Sequence, residues 1–288
     1  MTPPTGIDDR PEIGTALVRR LVDAQFPQWA GLSLTRVEPA GSDHVIHRLG
    51  DGLAVRLPCH RGAVGQAAKE MEWLPRLAPH LPLAVPAPVA VGAPGFGYPW
   101  PWAVARWLDG EVATVDALSH SRPAAIAMAR FLRALRSVPV PGGGPGLIER
   151  DEATRAAIAE TAGVFDAPAM TDLWDAALAA PPWGRDPVWV HGDLHTGNLL
   201  TDGGRLSAVI DFGNLGAGDP ACDLTIAFTL MSPACRTAFR DALATDEATW
   251  TRGRGWALST GLNALTHYAD DARVVAQTTR QITQALLG

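Results

Sequence analysis

Asp193 and Asn198 stand in the run His191-Gly192-Asp193-Leu194-His195-Thr196-Gly197-Asn198, and Asp211-Phe212-Gly213 follows shortly after. A carboxylate and a carboxamide in Asp-x4-Asn spacing, with a second carboxylate at the end of the apolar strand Ala208-Val209-Ile210, are groups that phosphoryl transfer requires. Its transition state is loose, so a protein contributes mainly position and charge neutralisation. In that chemistry Asp193 orients an attacking hydroxyl and accepts its proton. Asp211 and Asn198 offer hard oxygens to Mg²⁺, which takes only one or two protein carboxylates and fills its shell with phosphate and water. An isolated Asp-Phe-Gly or His-Gly-Asp arises by chance in turns; the order, spacing and strand contexts together carry the reading.

The strings VHGDLHTGNLL and VIDFGNLGAGDPACDL resemble the signature of the aminoglycoside phosphotransferase family, which shares a bilobal fold with protein kinases and includes macrolide, hygromycin, choline, homoserine and fructosamine kinases. IHRLGDGLAVRLP resembles the family's second and third strands, KEMEWLPRLAP its N-lobe helix and WAVARWLDGE its interlobe hinge. The resemblance implies an α+β, bilobal, protein-kinase-like fold, a small antiparallel sheet lobe over 1–109 and a larger, mainly helical lobe over 110–288. It makes Asp193 the catalytic base, Asn198 and Asp211 the Mg²⁺ ligands, and Asp219 a brace of the catalytic loop that also caps the helix before Pro220. Asp223 either supports the loop similarly or is a solvated helical carboxylate. His191 and His195 are expected to hold the loop rather than to move protons. Gly192 stands where protein kinases carry an arginine, and no Ala-Pro-Glu follows, which argues against a regulated protein kinase.

The resemblance extends to the nucleotide, ATP or GTP. Kinases of this fold hold the α- and β-phosphates with a third-strand lysine paired to a helix glutamate. LAVRLP puts Arg56 at that position, with Glu70 as its partner. Arginine makes bidentate phosphate contacts, so the exchange is chemically reasonable though not equivalent. Lys69, the only lysine in the chain, competes, but adjacent helical residues point about 100° apart, so Arg56 is favoured. No GxGxxG is present; Gly41 and Ser42 mark a shorter first hairpin whose backbone N–H groups can meet phosphate. The hinge is expected to meet the base through main chain near Arg106 and Leu108, with Leu200 and Ile210 as floor.

The elements that position these groups can be read from periodicity. Ile13, Leu17, Leu21 and Val22 predict an amphipathic helix over 12–26. Extended runs at 32–41, 44–50 and 53–58 follow, the last two joined by the hairpin signal Asp51-Gly52. Residues 64–81 read as a helix disturbed by Pro75 and Pro79, the Pro-rich stretch after it as edge strand and loop, and 102–108 as a strand. From 117 to about 180 the pattern is helical, broken by 138–146. VWVHGDLHTGNLL and LSAVIDFG read as one hairpin region, and the chain is helical after Pro220.

A chain of 288 residues with 47% apolar and 19% charged residues builds real cores. The net charge of −6 argues against a nucleic-acid binder. Three scattered cysteines, no N-terminal signal pattern and no bilayer-length apolar run predict a soluble, cytoplasmic protein without membrane contact or an obligatory protein partner. Asp241, Asp246, Glu247, Asp270 and Asp271 are candidates for attracting a polyamine-like antibiotic, though a solvated helix face explains most of them. Trp250, Trp256 and Tyr268 form either an apolar wall for a macrolide or plain core. The acceptor thus stays open between an antibiotic, aminoglycoside-type first, and a sugar, amino alcohol or amino acid metabolite. A catalytically inactive nucleotide-binding module is the alternative of a different class.

Overall fold

The computed structural model describes residues 11–38, 42–144 and 146–288. Contacts divide the chain into two compact units. The first takes the described residues of Met1–Pro79, Ala84–Asp109 and Asp211–Gly213; the second takes those of His80–Leu83, Gly110–Ile210 and Asn214–Gly288.

In the first unit, helix α1 (Thr15–Gln25) precedes strands β1 (Leu34–Arg36), β2 (His44–Leu49) and β3 (Leu53–Pro58). Helix α2 (Gln66–Leu77), β4 (Pro88–Gly92) and β5 (Trp102–Arg106) complete it. The strands form one antiparallel sheet in the order β1-β2-β3-β5-β4, and β3, its centre, is buried at every residue. Side chains alternate along a strand. Leu53, Val55 and Leu57 therefore pack with Val18, Leu21 and Val22 of α1, together with Trp102 and Val104. Arg56 turns to the opposite face, towards Glu70 of α2.

Two local expectations change. The helix expected over 64–81 runs through Pro75 to Leu77 and ends in a 3-10 turn, Ala78–His80. Pro75 lies in the last turn, so its missing N–H costs one bond at an end and not in the middle. The Pro-rich segment supplies the edge strand β4, with Pro88 as its first residue and a bulge between Pro88 and Ala90, where a missing donor is tolerated.

His47 of β2 is fully buried; its Nε2 lies 3.2 Å from the Thr15 hydroxyl, and its Nδ1 has no partner among the described residues. Burial, helped by Arg36, pushes its pKa below the usual 6.5, although Glu38 pulls the other way. As pH falls below about 6.5 the unfolded chain takes up this proton before the folded one does, so stability is lost towards acid. His47→Leu is expected to flatten the fall in Tm between pH 7 and pH 5. An unchanged slope would remove His47 from the account.

In the second unit the order is β6 (Glu111–Val112), α3 (Val115–Leu118), α4 (Arg122–Ser137), α5 (Asp151–Glu160), α6 (Ala167–Ala179), β7 (Val188–Val190), β8 (Leu199–Asp202), β9 (Arg205–Val209) and β10 (Gly216–Gly218). Helices α7 (Thr225–Leu230), α8 (Pro233–Leu243), α9 (Glu247–His267) and α10 (Ala272–Leu287) close it. The expected single hairpin region is two separate pairings. β8 and β9 form a hairpin around Gly203 and Gly204, both at positive φ as a two-residue turn demands. β7 pairs instead with β10, Val190 opposite Gly216. The segment 191–198 is thus released from any ladder and free to present side chains. No helix among the described residues is long and apolar enough to cross a membrane.

Candidate active site

The loop after β7 is fixed by two side chains that the hairpin reading does not reveal. Asp223, 1% exposed, accepts the backbone N–H groups of His191 and Gly192, each at 2.9 Å. His191, fully buried, bonds through Nε2 to the Ile210 carbonyl at 3.0 Å and through Nδ1 to the Asp193 N–H at 3.3 Å. A carbonyl only accepts and an amide N–H only donates, so the proton sits on Nε2. That ring holds the loop and the residue before Asp211.

Gly192 follows at φ +83°, and a Cβ there would lie 2.7 Å from the Asn214 carbonyl oxygen. Gly192→Ala is expected to cost at least about 1–2 kcal/mol from the left-handed backbone alone, read as a lower Tm together with reduced turnover. An unaltered Tm would show that the loop relaxes without penalty.

Asp193 keeps its carboxylate nearly half-exposed. Asn198, buried, donates through Nδ2 to the Asp193 carbonyl at 2.8 Å and to its Oδ2 at 3.2 Å. The Asn198 carbonyl receives the Ile210 N–H at 2.9 Å. With its nitrogen committed, the amide oxygen of Asn198 accepts no hydrogen bond among the described residues. His195 caps its own turn, accepting the Gly197 N–H at 3.1 Å, and its Nε2 lies 3.8 Å from Asp193 Oδ2.

Asp219 differs from expectation. It caps the 3-10 turn Pro220–Leu224 through the Ala221 N–H, as its position before Pro220 suggests. Its other partner is Arg252 of α9, in a bidentate pair at 2.6 and 3.1 Å, and not the 191–198 loop. Arg252 also donates to the Pro181 carbonyl. The loop brace is Asp223. Arg252 escaped the sequence reading, yet a signal existed: with Thr249, Gly253 and Trp256 it falls on the buried face of one helix.

In the first unit, Arg56 Nη1 donates to Glu70 Oε2 at 2.5 Å and Nη2 to Asp211 Oδ1 at 3.0 Å. Burial opposes its charge, but Glu70 and Asp211 outweigh burial and raise its pKa above the ordinary value. Asp211 sits at φ +62°, a conformation aspartate tolerates at a cost of about 1–3 kcal/mol, and its Oδ2 accepts no hydrogen bond among the described residues. Lys69 donates to the Gly213 carbonyl at 2.7 Å, next to the Arg56 cluster but directed at backbone. His44, at the start of β2, is buried, and burial and Arg56 push its pKa down to about 4.

The remaining candidates distribute as follows. Gly41 lies outside the described residues. Ser42 is exposed, its hydroxyl 3.2 Å from Asp43 Oδ1, and its carbonyl receives the Cys59 thiol. Asp43 accepts from Gln66 at 2.7 Å and contacts His60 at 3.1 Å, so the hairpin is tied to α2. At the end of β5 the Arg106 N–H is taken by the Ala87 carbonyl at 2.8 Å, whereas the Leu108 N–H has no partner among the described residues. Leu200 is buried in β8, and Ile210 is half-buried just before Asp211.

The model of the phosphotransferase enzyme family matches residues 34–256. No curated protein sequence matches the chain. In fold, the chain is similar to the GDP complex of wild-type aminoglycoside 2′-phosphotransferase-IIIa, at 18% identity and TM-score 0.74 over 96% of this chain and 99% of that one. A GDP and kanamycin complex of APH(2″)-IIia gives 18% identity and TM-score 0.75, covering 93% and 98%. Macrolide 2′-phosphotransferase MphH from Brachybacterium faecium, as apoenzyme, gives 24% identity and TM-score 0.62, covering 93% and 97%.

Proposed function

Because the chain belongs to the phosphotransferase enzyme family and is thus a phosphotransferase, we propose that it moves the γ-phosphate of ATP or GTP onto a hydroxyl of a small molecule, with Asp193 as the base. The observation that carries this reading is the half-exposed Asp193 carboxylate, held by Asn198 in a loop that Asp223 and His191 immobilise. In the reaction the bond from the γ-phosphorus to the β–γ bridging oxygen breaks, and a bond to the acceptor oxygen forms. The hydroxyl proton passes to Asp193, and the nucleoside diphosphate leaves.

Mg²⁺ suits the donor set. Asp211 Oδ2 in the first unit and the Asn198 amide oxygen in the second are each a hard oxygen that accepts no hydrogen bond among the described residues, and among those residues no cluster of three or more His, Cys, Asp or Glu competes for a metal. Such a sparse set fits an ion that draws most of its shell from phosphate and water. When bound, Mg²⁺ neutralises developing phosphate charge. Arg56, fixed by Glu70, is assigned to the nucleotide phosphates, and the Leu108 N–H, which has no partner among the described residues, to the base.

The acceptor is first an antibiotic of the aminoglycoside or macrolide kind, a reading supported by the fold neighbours. A second reading, a hydroxylated metabolite, is favoured by what the acidic candidates already do. Asp246 and Asp271 cap α9 and α10, and Glu247 pairs with Arg240. Trp250 and Trp256 are buried. Labelled phosphate from γ-labelled ATP or GTP is expected in a low-molecular-weight acceptor when Mg²⁺ is present. Nucleotide binding without transfer to antibiotics or hydroxylated metabolites would reduce the protein to a binding module.

A further inference from the structure

The second unit carries, in Arg150, a cation with no carboxylate partner among the described residues. Arg150 ends the 3-10 turn Leu147–Arg150, and its Nε donates to the Ser259 hydroxyl at 2.8 Å, which also meets Thr154 at 2.8 Å. Its guanidinium lies 5.4 Å from the centre of the Trp256 ring. It forms no ion pair, and its two terminal nitrogens make no hydrogen bond, among the described residues. The neighbouring carboxylates are engaged elsewhere: Asp151 with Arg155 and Trp174, Glu149 with the Gly146 N–H. Arg56, Arg240 and Arg252 have carboxylate partners, whereas Arg136, Arg254 and Arg280 donate to backbone carbonyls and Arg236 to the Gln284 side chain. Beside Arg150, Trp256 is more than nine-tenths buried, yet its indole Nε1 has no hydrogen-bond partner among the described residues. Buried N–H groups are normally satisfied, so an acceptor atom is missing here.

A chain of direct contacts links this pair to the turn that braces the Asp193 loop. Asp223, which holds the 191–193 backbone, sits in the turn Pro220–Leu224. Leu224 packs on Gly253 of α9 so closely that a Cβ there would lie 2.7 Å from its Cδ1. Gly255, two residues on, faces Leu147, and Trp256 and Ser259 follow on α9. Burial raises the pKa of Cys222, in the same turn, so its thiol stays neutral and offers no charge to Arg150. Burial works against the Arg150 charge.

We infer that Arg150, with the Trp256 indole N–H beside it, binds an anionic group of the acceptor, which takes the second, metabolite reading over the antibiotic one: the molecule phosphorylated is a hydroxylated small acid and not a polycation. This rests on Asp193 acting as the base. A carboxylate or phosphate on the acceptor supplies both the counter-ion and the missing hydrogen-bond acceptor. A polyamine there would meet an uncompensated positive charge.

The test is steady-state phosphate transfer from ATP and GTP with Mg²⁺ by the full chain. Its acceptors are hydroxy acids and hydroxy amino acids, their neutral amides, and aminoglycosides. Wild type is expected to prefer an acid over its own amide by about 10-fold or more in kcat/KM, the usual worth of a charged hydrogen bond. Arg150→Gln should abolish that preference through KM, and Arg150→Lys should restore part of it. Because the readout is a ratio within each variant, loss of folded protein does not imitate the effect. Preference for aminoglycosides or amides, or an acid-to-amide ratio unmoved in Arg150→Gln, overturns the inference and leaves the phosphotransferase standing. Transfer to no acceptor, or transfer equal in Asp193→Asn, overturns the proposed chemistry and this inference with it.

Discussion

Asp193→Asn is expected to lower kcat for phosphate transfer at least about 100-fold, the ordinary worth of a positioned general base, without weakening nucleotide binding. The substitution is nearly isosteric. An asparagine oxygen still accepts from Asn198 Nδ2, now 3.2 Å from the carboxylate, and the backbone bond from Asn198 to the residue 193 carbonyl is untouched. His191 keeps its bond to the residue 193 N–H. What disappears is the capacity to take the acceptor proton while charge builds on the hydroxyl oxygen. Nucleotide titration alongside single-turnover transfer separates the two effects. Wild-type transfer in the variant would end the assignment of Asp193 as base, whereas loss of nucleotide affinity would assign it to the ground state.

The second large effect concerns stability. Arg252→Met should lower stability by about 3–5 kcal/mol, as breaking a buried pair leaves an uncompensated charge. The Arg252 and Asp219 side chains are only 5% and 12% exposed. At a few degrees per kcal/mol for a chain of this size, Tm should fall by about 10 °C. The double variant Arg252→Met with Asp219→Asn should recover part of the loss, because the amide keeps an oxygen for the Ala221 cap and carries no charge. A Tm that stays within a degree or two in the single variant would show that water reaches Asp219 and compensates it.

The chemistry of 191–213 is legible in the sequence because its parts are close together and each residue type has few roles. Strand β3 is equally legible: LAVRLP alternates, so Arg56 must leave the apolar face that Val55 and Leu57 share. The Asp51-Gly52 hairpin and the edge character of the Pro-rich strand follow from backbone chemistry alone. Other features are not local. Nothing in DPACD tells Asp219 from Asp223 as the loop brace. The choice depends on Arg252 of α9 reaching Asp219, while the turn of 220–224 aims Asp223 at two backbone N–H groups.

Residue type and spacing, then, pointed by themselves to phosphoryl transfer and to a run of strands followed by helices, while the bilobal kinase-like fold and the site roles came from the family resemblance. Periodicity and motif spacing act over a few residues and survive in any compact state. Tertiary structure alone decided which of Asp219 and Asp223 holds the loop, that Lys69 donates to the Gly213 carbonyl, that Asp211 joins the expected Arg56–Glu70 pair, and that Arg150 has no carboxylate partner among the described residues. Charges find partners through packing between segments far apart in the chain. In a low-dielectric interior, a few ångströms decide whether a charge is satisfied or left waiting for a ligand.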